Sequence, residues 1–277
     1  MTPYLVLAHS AVLAGIRIRS NRSLTGLPAN GESDLALEVL FAPTGRSSNR
    51  AVQAAVDRFV PPDRAYLLPG STALTGRIAA DGRRAVMFEP PSGTMDVARS
   101  IRSVLPFASA LQGGVILHGS AVAVPDGIHV FIGASGAGKS TLATHLAALG
   151  LPQVADDLTP CRPMGDHIAV PLPSEATGKV THARLRSVHF LTRSADIDRV
   201  NCVAITPAQC VARLLWNGFS ELAAKELWAL QFNCYSRIAR IVPGFDLVVP
   251  EDRLRIGAIA ADVRVALTDP SNVPGAD

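Results

Sequence analysis

Gly133-Ala134-Ser135-Gly136-Ala137-Gly138-Lys139-Ser140 is the segment that most constrains how this chain can fold. An apolar run at 129–132 leads straight into it. Leu142, Leu146 and Leu149 then mark one stripe of a helix that Gly150 ends. The segment fits GxxxxGK[ST] at every fixed position, and its context of strand, glycine-rich turn and helix is the one that pattern needs. Glycines let backbone N–H groups turn inward around phosphate oxygens, and the helix N-terminus adds partial positive charge. The pattern therefore predicts a phosphate site lined by residues 133–140 and the adjoining Thr141. Lys139 reaches the terminal phosphates, and the Ser140 hydroxyl ligates Mg²⁺.

Seventeen residues beyond Lys139, Val154-Ala155-Asp156-Asp157 delivers two carboxylates at the end of a short strand. A pair allows a division of labour, with one acid near the metal and one free to take a proton. On a strand, neighbouring side chains face opposite ways. The reading gives Asp156 the acceptor hydroxyl, and a turn beginning at Asp157 brings the second acid back toward Ser140 and Mg²⁺. Leu117-His118-Gly119-Ser120 places a histidine at a further strand end, a weak signal by itself.

These three fragments in this order resemble the catalytic domain of HPr kinase/phosphorylase, a fold shared with phosphoenolpyruvate carboxykinases. The chain also resembles short kinase-like relatives of that enzyme encoded beside ribosomal-peptide clusters, including those for lasso peptides. That wider likeness runs through residues 14–20, 24–28, 33–39, 117–124, 154–160 and 244–252. The resemblance implies an α/β (α+β) kinase with a phosphate loop, ATP and Mg²⁺ as cofactors, and the hydroxyl of a peptide or protein as acceptor. It implies Asp156 as the base, with His118 and Lys139 as its catalytic companions, and Ser140 and Asp157 on the metal. A homo-oligomer is consistent with it, since HPr kinase is a hexamer. Thr141 stands where HPr kinase has Glu, which weakens the case for HPr as substrate and for phosphorylase activity.

Residues 1–92 carry period-2 patterns: Ile16 and Ile18 alternate with Arg17 and Arg19, and residues 73–79 and 84–89 flank Asp81-Gly82, a hairpin signal. Pro90-Pro91-Ser92-Gly93 reads as a linker. The expected organisation is a small β-rich domain at 1–92 and the nucleotide-binding catalytic domain at 93–277. Helices are expected at 49–59, near 97–111, from Thr206 with a capping box, at 221–241 and at 253–267. The net charge of +3 gives no reason to expect nucleic acid or a membrane as partner. Residues 5–16 are too short and too polar to span a bilayer or to lead export, so a cytoplasmic location is expected. Cys161, Cys202, Cys210 and Cys234 form no CxxC pair and read as buried or indifferent thiols.

Of 26 basic residues only three are lysines, Lys139, Lys179 and Lys225. Arg162, Arg184, Arg186 and Arg237 are the candidate cations for a loose phosphoryl transition state. Lys179 lies in a polar, Gly-containing stretch. Trp216, Phe219, Trp228 and Phe232 read as core aromatics, with a peptide-binding groove as the minority reading. The leading function is an ATP-dependent kinase acting on a peptide hydroxyl. The alternatives are a nucleotide-gated module with slow ATPase activity and a small-metabolite kinase acting on free serine. No NKxD sequence points to guanine.

Overall fold

The computed structural model describes residues 6–14, 16–25, 27, 33, 35–43, 50–69, 74–89, 95–173, 180–218 and 225–268. By its contacts the chain divides into two units, one of residues 1–115, 171–181 and 221–231, the other of residues 116–170, 182–220 and 232–277. It is a mixed α/β protein with two mixed sheets and, among the described residues, six α-helices.

The first unit is built on β1 (His9–Leu13), β2 (Ile16–Ser20), β3 (Leu35–Pro43), α1 (Arg50–Phe59), β4 (Ala65–Pro69), β5 (Leu74–Ala79), β6 (Arg84–Glu89) and α2 (Val97–Leu111). The sheet order is β1-β2-β3-β6-β5-β4. Ile16 and Ile18 are buried while Arg17 and Arg19 face water, as the alternation requires. The β5–β6 hairpin turns at Gly82, whose φ of +69° is the left-handed conformation glycine adopts freely. Val52 and Val56 of α1 pack on Leu40, Ala42 and Val86 of the sheet. Asp96 caps α2 by accepting from Arg99 N, and Gln112 beyond its end donates to Gly82 O and Ala36 O. Helix α2 thus falls by contacts in this unit, although the sequence boundary at 92/93 assigned it to the catalytic half. The expected linker at 90–93 lies outside the described residues.

The larger sheet is formed by β7 (Val115–Leu117), β8 (Gly119–Val124), β9 (Gly127–Ile132), β10 (Gln153–Ala155), β11 (Thr159–Met164), β12 (His167–Pro173), β13 (Val180–Ser194), β14 (Asn201–Ile205) and β15 (Gly244–Pro250). Its helices are α3 (Lys139–Ala148), α4 (Pro207–Asn217), α5 (Lys225–Ile241) and α6 (Ile256–Thr268). The main path runs β10-β8-β9-β13-β12-β11-β7, with β15 beside β13 and β14 beside β15. Strands β9, β13 and β15 are mutually parallel, so their carboxyl ends share one edge. Phe131, Leu191 and Leu247 of these strands meet Leu142 and Leu146 of α3 and Ile259 and Val263 of α6 in one core. Each such side chain contributes about 1.5–3 kcal/mol of burial. Helix α3 ends as the sequence indicates. Gly150 has φ +89°, its N–H reaches Ala147 O, and Leu151 N reaches Leu146 O, the paired bonds of a Schellman cap.

The aromatic reading is corrected. Trp216 is 88% exposed, and Trp228 and Phe232 also face solvent. Helix α4 buries Cys210 and Leu214, and α5 buries Leu227, Gln231 and Tyr235; the aromatics sit one or two positions off those stripes. Phe219 and Lys179 lie outside the described residues. Cys161 and Cys210 are buried, Cys234 is half-buried and Cys202 is exposed, and all four are free thiols. Among the described residues, no helix is long and apolar enough to cross a membrane.

The larger sheet also buries a polar chain that periodicity did not reveal. The Ser187 Oγ lies 2.6 Å from both His129 Nδ1 and His189 Nε2. Burial pushes the His129 pKa down to about 4, against a pull upward from Asp126, with Arg186 adding to the fall. Burial and His129 push His189 down as well. Both rings are therefore neutral in the fold, and the unfolded chain binds more protons below its ordinary value of 6.5. Stability is full above pH 6.5 and falls as the pH drops toward 4, by about 1.4 kcal/mol per pH unit for His129. The check is the urea midpoint from pH 7.5 to 4.5 for wild type and His129→Asn. The wild-type curve should fall more steeply, and parallel curves would remove His129 from the account.

Candidate active site

Strand registers bring the site together. Strand β9 ends at Ile132 and delivers Gly133, where an added Cβ would sit 2.6 Å from Leu191 O of β13. Only glycine fits between those backbones. Gly136 and Gly138 have φ values of +80° and +99°, and Gly138 is the N-cap of α3. The Lys139 ammonium folds back over the loop and donates to Gly133 O (2.8 Å) and Ala134 O (3.1 Å). Burial lowers its pKa, and Asp157 and Asp156 pull it part of the way back.

Antiparallel pairing sets Gly119 of β8 opposite Ile132 of β9, which holds His118 and Ser120 beside the loop. Pairing of Ala155 with Ala121 then carries Asp156 to the same place. Asp156 Oδ1 accepts from Ser120 Oγ at 2.6 Å and from Ser140 Oγ at 2.8 Å. Asp157 turns away. Its φ is +67°, and Leu158 N closes a tight bond to Asp156 O at 2.8 Å, the pattern of a γ-turn with a left-handed centre. That conformation is rare for a side-chain-bearing residue, and its cost is of order 1 kcal/mol. It directs the Asp157 carboxylate to His118, Oδ1 to Nε2 at 3.1 Å.

The expected directions of the two acids are thus exchanged. The turn at Asp157 exists, but it leaves Asp156 on Ser140 and sends Asp157 to the histidine. The loop from Ser135 to Thr141, His118 and Asp157 line one cleft of about 510 Å³. Its far wall is formed by Leu191 and Arg193 of β13, Val249 to Asp252 at the end of β15, and Ile256 and Ile259 of α6. This edge, at the carboxyl ends of parallel strands, is where open α/β sheets bind ligands.

No protein-family model matches the chain, and no curated protein matches it. Among solved structures it is similar to the HPr(Ser) kinase/phosphatase from Coxiella burnetii, at 10% identity and a TM-score of 0.32, over 56% of this chain and 99% of that one. The chemistry of the cleft therefore rests on its own residues.

Every residue of the expected phosphate loop lies at the cleft or, as with Gly133 and Ala134, supplies the carbonyls that hold Lys139. None of the four candidate arginines lines it. Arg186 pairs with Asp126 at 2.9 Å and Arg237 donates to Gly165 O at 2.7 Å. Arg162 is half-buried on β11 and Arg184 is exposed on β13. Two residues of the site, buried Ser120 behind Asp156 and Arg193 in the cleft, escaped sequence reasoning. Ser120 lies on β8 two positions beyond His118, close enough in sequence to have been flagged with it. Arg193 carried no signal among so many arginines.

Proposed function

We propose that this chain transfers the γ-phosphoryl group of ATP to a hydroxyl group, most fittingly that of a seryl residue in a peptide. The observation that carries the reading is the partition of the two acids around one phosphate loop. Asp156 sits on the Ser140 hydroxyl, and Asp157 sits against His118 at the open cleft. Simple hydrolysis of a nucleotide does not need a second, histidine-held carboxylate poised for an alcohol.

In this reading the acceptor hydroxyl gives its proton to Asp157 as its oxygen bonds to the γ-phosphorus. The bond from that phosphorus to the bridging oxygen breaks, and ADP leaves. His118 holds the carboxylate in the orientation that accepts the proton. Lys139 exchanges its two carbonyl partners for phosphate oxygens. Ser140 and Asp156 present a hydroxyl and a carboxylate, hard oxygen donors that suit Mg²⁺, an ion bound by one or two protein oxygens plus phosphates and water. A Mg²⁺ ion held by these two residues would supply neutralisation of the phosphate charge. The peptide acceptor, and within it a ribosomal precursor of the lasso type, is supported by the sequence resemblance.

The test is mass spectrometry after incubation with ATP and Mg²⁺, offering a lasso-type precursor peptide, a mixture of seryl peptides, or free serine. A gain of one phosphate on peptide is the expected result. Phosphoserine from free serine selects the metabolite kinase, and phosphate release with no modified acceptor selects the slow hydrolase.

A further inference from the structure

Arg193 projects from the carboxyl end of β13 into the cleft and is half-buried there. Its Nε donates to Ala137 O at 3.0 Å. Its guanidinium lies so close over Gly138 that an added Cβ would stand 2.2 Å from Nη2. It is therefore clamped against the last two loop residues before Lys139. Among the described residues, neither Arg193 nor Lys139 has a carboxylate within 4.0 Å. Two cations thus flank one helix N-terminus, and among the described residues each is hydrogen-bonded to backbone carbonyls alone. A half-buried guanidinium with a single neutral hydrogen bond leaves most of its donors open to the cleft. An anion with several oxygens would engage them, because the Nη groups offer further donors in a fork that fits phosphate.

The sheet order sets Arg193 apart from the acids. His118 just before β8 and the acids just after β10 lie on one side of β9, and Arg193 arrives on β13, on the other. Building on the phosphotransferase reading, we propose that Arg193 is a second phosphate-binding residue, contacting the α and β phosphates that stay with the nucleotide. Glycine at 138 is then required twice, for its positive φ and for the room the guanidinium occupies.

Calorimetric titration of ATP and of ADP, each with Mg²⁺, into wild type, Arg193→Gln and Arg193→Lys tests this over a range of salt. Arg193→Gln should weaken ATP and ADP by the same factor, about tenfold to a hundredfold. The slope of log Kd against log salt should also become shallower, because one ionic contact is lost. Arg193→Lys should keep the slope and lose less than tenfold, and it serves as the deciding variant should the Gln protein not fold. A residue that merely braces the loop leaves the salt slope unmoved. Wild-type ADP affinity in Arg193→Gln overturns the proposal, as does a loss of ATP alone, an unchanged slope in Arg193→Gln, or a lost slope in Arg193→Lys. A wild-type protein that binds neither nucleotide overturns the phosphotransferase reading itself, which is a separate outcome.

Discussion

Asp157→Asn should slow phosphoryl transfer by about 10²–10⁴-fold while ATP affinity stays within a few-fold of wild type. The carboxylate pairs with His118 at the open cleft and, among the described residues, makes no hydrogen bond to Ser140, so its loss removes a proton acceptor and leaves the Ser140–Asp156 bond in place. Asparagine is the informative replacement because, like aspartate, it tolerates the left-handed conformation that position 157 adopts. An alanine there would strain the turn and confuse two effects. Asp156→Asn should behave differently. It removes charge from the Ser140 side, so the Mg²⁺ concentration for half-maximal rate should rise, with the rate largely recovered at saturating metal. Rate measurements across a grid of ATP and Mg²⁺ separate the two. Normal transfer by Asp157→Asn, with an unrecoverable loss in Asp156→Asn, would return the base to Asp156.

Lys139→Ala should remove ATP-dependent stabilisation. Lys139 is a largely buried residue whose ammonium is held over the loop by two carbonyls, so it is already in place when a triphosphate arrives. Its replacement takes away the one cation the phosphate-loop pattern requires. The fold should survive, since the lysine makes no carboxylate contact among the described residues and Ala134 is exposed to water that can replace its bond. At a ligand concentration 100 times Kd, wild type gains about 2.7 kcal/mol of stability, and the variant should gain almost none. Melting temperatures with and without ATP and Mg²⁺ report the difference. An equal upward shift in both proteins would take the phosphate loop out of the binding site.

The glycine-rich loop between β9 and α3 was legible in the sequence because the pattern fixes residue types at fixed spacings, and Gly133 and Gly138 stand where the backbone or a close neighbour leaves no room for a Cβ. The β5–β6 hairpin, the capping box at Thr206 and the Gly150 helix end were legible for the same reason: each is a local rule. What was hidden depends on register. Which acid meets Ser140 is decided by the pairing of Ala155 with Ala121 and by the left-handed turn at Asp157, and neither is written in the alternation of a three-residue strand. Strands β11, β12 and β14 lack clean alternation; all five residues of β14 are exposed or half-exposed and bear no buried stripe. Trp216 looked like core because it is large and apolar, yet its place at the end of α4 puts it beyond the Cys210–Leu214 stripe. Arg193 could be found only once β13 was known to lie beside β9.

The central claim is that this cleft removes the terminal phosphate of a nucleoside triphosphate. The most direct measurement follows loss of the γ-phosphoryl group from labelled ATP with Mg²⁺ and seryl peptides, comparing wild type with Lys139→Ala. Wild type should release or transfer the label steadily, with the label on peptide hydroxyls, and the variant should show only the background rate. A wild-type rate no higher than that of Lys139→Ala would contradict the account.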